Sequence, residues 1–186
     1  MISKFLTEYL IDAKIIGEDD KAIIQYGIYG LISTIFNIAT ILVIGACCNC
    51  ILESILFTIT FYFLRIYAGG YHAKTPGRCY FFSILISLFN FGIIHKLFWN
   101  FNTLTSIFII ASVIIFITAP IGSTNKPLDE IEFEVYRKKS RVIICISIIL
   151  YFIFFFLKIY PVCWAIGMAY MNSCILLTLG AMKNTY

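Results

Sequence analysis

The chain has 186 residues, of which 61% are hydrophobic and 13% charged, with a formal net charge of +4. The charged share is about half that of a typical soluble domain, and a globular interior of this size is too small to bury so many apolar side chains. The composition therefore excludes an ordinary soluble domain and favours helices surrounded by hydrocarbon. A positive charge this small gives no reason to expect a nucleic-acid partner.

Residues 1–20 alternate apolar and charged positions with the spacing of a helix, with Ile2, Phe5, Leu6 and Tyr9 on the apolar side. The pattern predicts an amphipathic helix on the membrane surface. A cytosolic helix packed against the rest of the protein would show the same pattern. The segment lacks the uninterrupted apolar core of a cleavable signal peptide, so insertion is expected to depend on internal spans.

Six apolar runs follow, separated by polar breaks. A span needs about 20 residues, and the shorter runs suffice if their flanking turns enter the headgroup region or the bilayer thins locally. We therefore predict one all-α, polytopic membrane domain over residues 1–186, with a bundle of six transmembrane helices at 22–182. The predicted spans are 22–46, 53–67, 79–94, 104–121, 142–157 and 162–182.

The basic residues are distributed unevenly over the two sides that six spans define. One side receives twelve of the fourteen and the other only Lys96 and Lys158. Because cytoplasmic loops are enriched in Lys and Arg, this bias predicts a cell-membrane protein with both termini and the loops at 65–79 and 122–141 in the cytoplasm.

Seven cysteines are present, most of them within apolar runs, which fits neither a disulfide framework nor a zinc module. Cys145 and Cys174 are interpreted as small core residues. Cys47, Cys48 and Cys50 lie together between two spans, but only Glu53 is near enough to assist metal binding, so no metal site is predicted.

The loop at 65–79 contains a His and a Cys, the minimal pair for thiol nucleophilic catalysis. A continuous helix would separate His72 from Cys79 by about 10 Å along its axis, too far for a hydrogen bond. The pair therefore requires the chain to fold back between them. Glycines at 69–70 can end the second span, and the Thr-Pro-Gly sequence at 75–77 interrupts a helix.

The Thr-Pro pair at 75–76 resembles an N-cap followed by proline at the first helical position. Cys79 would then lie in the first turn of the third span, where the helix dipole and the nearby Lys74 and Arg78 favour a thiolate. His72 precedes this helix and is placed to approach the sulfur. The imidazole would be oriented by a backbone carbonyl, by Tyr71 or by a residue of another loop.

The pattern Arg65-x-x-x-Gly69-Gly70-x-His72-Ala73, followed by Cys79, resembles the signature of the accessory gene regulator protein B (AgrB) family. A second resemblance lies at 119–128, in the sequence Ala-Pro-x-x-x-x-Asn-Lys-Pro-Leu. The family comprises membrane cysteine peptidases of Gram-positive quorum-sensing systems. Length, hydropathy and loop order agree over most of the chain, although the sharp motifs cover only these two stretches.

This resemblance implies that Cys79 is the nucleophile and His72 the general base and acid. The cysteine would cleave a short AgrD-like propeptide near its C-terminal end and retain the N-terminal portion as a thioester. An internal Cys or Ser of that portion would then release a cyclic thiolactone or lactone autoinducing peptide. Arg65 and the amides of Gly69 and Gly70 are candidates for binding the substrate or its oxyanion. No metal or organic cofactor is implied, and a homodimer is expected by analogy.

Residues 129–141 begin with acids and end with bases, and are predicted to extend the fifth helix into the cytoplasm. Lys126 with Arg137, Lys138 and Lys139 would attract the acidic tail that the family's propeptides have. The same cluster would bind anionic lipid headgroups of the bilayer, or would simply form a solvated face.

Two other classes of function compete with a peptidase. A small transporter would also use six spans, but ionisable residues lie at the span edges rather than at their centres. A noncatalytic membrane partner would need no reactive thiol, so faster labelling of Cys79 than of the other cysteines would distinguish an enzyme from it.

Overall fold

A computed structural model of the chain describes residues 2–71, 76–94, 100–122 and 128–184. Within these ranges the chain is helical apart from turns and one isolated β-bridge, which confirms the prediction of an all-α protein. A short 3-10 helix at Glu18–Asp20 precedes α2, and a π-helical turn at Leu88–Ile94 continues α4. The α-helices of the described chain are α1 Ile2–Asp12, α2 Lys21–Cys47, α3 Ile51–Ala68, α4 Pro76–Ser87, α5 Phe101–Thr118, α6 Glu130–Phe156 and α7 Tyr160–Asn184.

Helices α2 to α7 overlap the six predicted spans in order, with the third span formed by α4 and its π-helical turn. Four helical segments are long and apolar enough to cross a membrane, namely Glu18–Cys47, Ile51–Ala68, Glu130–Phe156 and Tyr160–Met182. Asn102–Thr118 is a shorter apolar helix. The chain thus has the helices of a membrane protein, while the number of six spans remains a prediction.

Helix α7 lies at the centre of the bundle and packs against α3, α5 and α6. In its most apolar window 72% of the residues are buried, compared with 11% in α2. An aromatic cluster joins these helices, because Phe108 stacks on Tyr151 at a centroid distance of 4.1 Å and also contacts Tyr170. The Tyr151 hydroxyl shares a hydrogen bond of 2.9 Å with Thr105. This hydrogen bond joins two polar side chains of α5 and α6 across the helix interface, as an apolar environment favours.

Helix α1 is shorter than the predicted segment 1–20, since it ends at Asp12. It packs on α2 and buries Ser3 and Thr7, whose hydroxyl donates to the Ser3 carbonyl at 2.8 Å. Its apolar side chains point outward, with Phe5 69% exposed.

The cysteines of the other helices are placed differently from the prediction. Cys145 is exposed, so its interpretation as a core residue was wrong, and Cys163 is the buried thiol of α7.

A candidate active site at the α3–α4 loop

Helices α3 and α4 flank the loop in which the sequence places the predicted His–Cys pair. Helix α3 ends at Ala68, residues 69–71 are not helical, and α4 spans Pro76–Ser87. Cys79 is the fourth residue of α4 and is half-buried. The prediction that Cys79 lies at the start of a helix is therefore confirmed. His72 lies outside the described residues.

This loop starts with two glycines whose φ angles are positive, +73° at Gly69 and +110° at Gly70. Gly69 forms a parallel β-bridge with Ile121, which follows α5. The Ile121 N–H donates to the Ala68 carbonyl at 3.0 Å, and the Gly70 N–H donates to the Ile121 carbonyl at 3.3 Å. A Cβ at Gly69 would overlap that carbonyl oxygen. The absence of a side chain at Gly69 is thus what lets the two loop backbones meet.

The end of α7 supports the same loop from another side. The Tyr71 N–H donates to the Leu176 carbonyl at 2.7 Å. A Cβ at Gly180 would lie 2.7 Å from the Tyr71 nitrogen and 2.8 Å from the Gly70 carbonyl carbon. A Cβ at Gly70 would lie 3.0 Å from the Leu176 carbonyl oxygen. Residues 69–71 are therefore fixed between α7 and the segment that follows α5.

The Arg65 side chain folds back over the loop that begins one turn after it. Its guanidinium donates to the carbonyl oxygens of Gly69 and Tyr71. A planar guanidinium with several fixed donors suits such a bridge between two carbonyls. Arg65 thus joins the end of α3 to the loop at residues 69–71.

The basic segment lies at the start of α6, as predicted, and Asp129 caps this helix by accepting a hydrogen bond from the Glu132 N–H at 2.6 Å. Lys139 places its ammonium 5.1 Å from the ring centre of Tyr67, on the last turn of α3. Tyr136 meets the same ring edge-on at 5.8 Å. One member of the basic cluster is therefore adjacent to the helix that leads into the loop.

The other predicted basic residues are placed differently. Arg137 lies over the ring of Phe133 on its own helix, 6.0 Å from the ring centre, and Lys138 is exposed. Lys126 lies outside the described residues. Within the described chain, no group of three His, Cys, Asp or Glu side chains is arranged to hold a metal ion.

Three residues whose backbone contacts the loop were not predicted from the sequence, namely Ile121, Leu176 and Gly180. Ile121 falls within the second matching stretch at 119–128, which is where the sequence drew attention to it only as part of a motif. Leu176 and Gly180 lie in an apolar run without any polar signal. Only the packing of α7 against α3 brings them to the loop.

The two stretches that suggested a family, 65–79 and 119–128, are thus in contact through the bridge at Gly69 and Ile121. The model of the family Accessory gene regulator B matches residues 3–179. The chain belongs to the accessory gene regulator B family. The resemblance stated from the motifs is confirmed, and the chain has the family's role in the accessory gene regulator system of quorum sensing.

Curated relatives agree with this membership. A putative AgrB-like protein of Clostridium perfringens (strain SM101 / Type A) is 29% identical over 94% of this chain and 85% of its own length. Putative AgrB-like protein 2 of C. perfringens (strain 13 / Type A) is 32% identical over 76% of this chain and 67% of its own length. The accessory gene regulator protein B of Staphylococcus saprophyticus is 25% identical over 72% of this chain and 69% of its own length. No solved structure matches the chain.

Proposed function

We propose that this chain is a membrane cysteine endopeptidase that cleaves an AgrD-like propeptide and promotes cyclisation of the retained portion. The observation that supports this most directly is the position of Cys79, which is the fourth residue of α4. Membership of the accessory gene regulator B family supports the substrate class. We further propose six spans, cytoplasmic termini and loop, and a homodimer.

The proposed reaction needs no redox step. The Cys79 thiolate attacks the scissile carbonyl carbon, His72 having accepted the thiol proton, and the C–N bond breaks as His72 protonates the leaving amine. The N-terminal portion is then a thioester on Cys79. An internal thiol or hydroxyl of that portion attacks the thioester carbonyl, forms the ring and releases Cys79. Partial exclusion of water by the surrounding helices would protect the thioester until this second attack.

The loop contacts suggest what Arg65 and the two glycines contribute. Arg65 donates to the Gly69 and Tyr71 carbonyls, so we assign it to positioning the loop that leads to His72. The Gly70 N–H already donates to Ile121. It would bind a substrate oxyanion only if that bridge opened, whereas the closed bridge suits a role in orienting the loop.

The basic residues are proposed to bind the acidic tail of the propeptide. Lys139 is the member that the geometry favours, because it lies against Tyr67 at the end of α3. Arg137, Lys138 and Lys126 would add long-range attraction. The outward apolar face of α1, which includes Phe5 and Tyr9, is proposed to contact the headgroup region of the bilayer.

Co-expression with an AgrD-like propeptide tests the proposal. The wild type should release a cyclic peptide and show a covalent adduct on Cys79 that hydroxylamine removes. Cys79→Ala and His72→Ala should both lose processing, while Cys145→Ala, an exposed thiol on α6, should retain it. Mass spectrometry of the protein and the released peptide measures both outcomes. Normal processing by Cys79→Ala would show that the mechanism is wrong.

A further inference from the structure

A row of polar side chains extends from Cys79 into the interface between α2 and α4. The Asn37 amide donates to the Ser83 hydroxyl at 3.0 Å, and Thr40 shares a hydrogen bond of 2.7 Å with Tyr80. We call this row the α2/α4 polar seam. Its members are Asn37, Thr40, Tyr80, Ser83, Ser87 and Asn90.

The seam follows one face of α4. The Ser83 hydroxyl donates to the Cys79 carbonyl at 3.1 Å, and the Ser87 hydroxyl donates to the Ser83 carbonyl at 2.8 Å. Each residue therefore lies one turn beyond the previous one, starting from the proposed nucleophile. Burial increases along the row, since Cys79 and Ser83 are half-buried, Ser87 is 1% exposed and Asn90 is 0% exposed.

The buried end of the seam has hydrogen-bonding groups that the described chain does not satisfy. Both amide atoms of Asn90 are buried without a hydrogen-bond partner, and so is the amide oxygen of Asn37. Asn90 lies in the π-helical turn at Leu88–Ile94, and such turns occur often at functional sites. A buried, unpartnered amide is unfavourable unless some other group meets it. Together these atoms offer one donor and two acceptors to a ligand.

An extended peptide backbone supplies such donors and acceptors. Asn90 lies eleven residues beyond Cys79, about 16 Å along a helix, which corresponds to about five residues of extended chain. We propose that the α2/α4 polar seam binds the few residues of the propeptide that directly precede the scissile bond. This inference rests on the proposed function. The Asn90 amide would pair with a peptide group, and the segment would be retained beside Cys79 after the tail has left.

Binding of the propeptide along this seam would affect cyclisation more than formation of the thioester. Attack by Cys79 needs only the scissile carbonyl in place, whereas cyclisation needs the acylated segment to stay ordered until its internal nucleophile arrives. Loss of the Asn90 contact should therefore divert the thioester to hydrolysis and give a linear product. A residue with a purely structural role would instead change stability and both steps together.

The experiment compares Asn90→Leu and Asn37→Leu with the wild type, in full-length protein with a co-expressed AgrD-like propeptide. Asn172→Leu is the matched control, because Asn172 is a buried amide whose Nδ2 already donates to the Met168 carbonyl at 2.7 Å. Mass spectrometry measures the thioester on Cys79 and the ratio of cyclic to linear peptide. Thermal unfolding of the peptide-free protein is measured in parallel.

Both seam variants should form the thioester, while their ratio of cyclic to linear peptide should fall about ten-fold, the effect of one lost hydrogen bond. Asn90→Leu should leave the melting temperature unchanged or raise it, since it removes an unpartnered amide. The inference is overturned if the wild type forms the thioester and both seam variants keep its product ratio, as they would if water alone met the amides. If the wild type forms no thioester, the proposed function itself fails.

Discussion

Substitution of Gly69 by alanine tests whether the bridge between the two loops is as important as the geometry indicates. Gly69 has φ of +73° and ψ of −140°, a combination that residues with a Cβ rarely adopt. The added methyl group would overlap the carbonyl oxygen of Ile121, which belongs to the backbone and cannot rotate away. The loop after α5 would have to move, and the bridge would open.

The expected cost combines two effects. An unfavourable backbone conformation costs about 1–3 kcal/mol. Opening the bridge removes the bonds from Ile121 N–H to Ala68 and from Gly70 N–H to Ile121, each contributing about 0.5–1.5 kcal/mol. The free energy of unfolding should therefore fall by about 2–6 kcal/mol. For a chain of this length the melting temperature should fall by about 5 °C or more.

Gly77→Ala is the matched control, because a Cβ there meets no atom within 4 Å and Gly77 lies in the first turn of α4. Thermal unfolding of both purified variants in detergent gives the comparison, and propeptide processing in cells gives the functional effect. Gly69→Ala should lose both stability and processing, whereas Gly77→Ala should keep both. Equal melting temperatures for the two variants would refute the steric argument.

Two further substitutions test other contacts. Arg65→Lys keeps the charge but removes the planar donors that reach the Gly69 and Tyr71 carbonyls. Propeptide processing should therefore fall at least about ten-fold, while membrane insertion, measured by fractionation, is unchanged. Full activity would contradict a positioning role. Gly45→Ala should destabilise the α2–α3 contact by about 1–3 kcal/mol in thermal unfolding, because its Cβ would overlap the Ser54 side chain. Ser54→Gly should restore part of that loss, and the absence of any rescue would argue against this contact.

Much of the fold could be predicted from local sequence. Charge-free runs and polar breaks located α2 to α7 in order, because a helix that contacts hydrocarbon must be apolar along its length. The break at residues 69–70 and the start of α4 at Pro76 followed from glycine and proline, whose backbone preferences act within a few residues. The orientation of Cys145 was predicted less well, since the apolar run that contains it is nearly uniform around the helix.

The candidate site was only partly predictable, because some of its contacts come from backbone groups and from residues inside nearly uniform apolar runs. Cys79 and Arg65 were found because polar residues are conspicuous in an apolar chain. Leu176 and Gly180 were not, because their contribution is a carbonyl oxygen and an absent side chain, which no residue pattern reveals. Asn90 was not predicted as a site residue, because it is a single polar residue in an apolar run. Its burial without a hydrogen-bond partner makes it a candidate ligand contact.

Composition and short-range spacing were enough to predict the all-helical class, the family and the need for the chain to turn between His72 and Cys79. Each depends on composition or on spacing within a short stretch. The packing of the helices determines that the segment after α5 and the end of α7 hold residues 69–71 in place, and that a polar seam continues from Cys79 towards Asn90. These relations join residues up to about a hundred positions apart, so they depend on how the helices pack rather than on any local pattern.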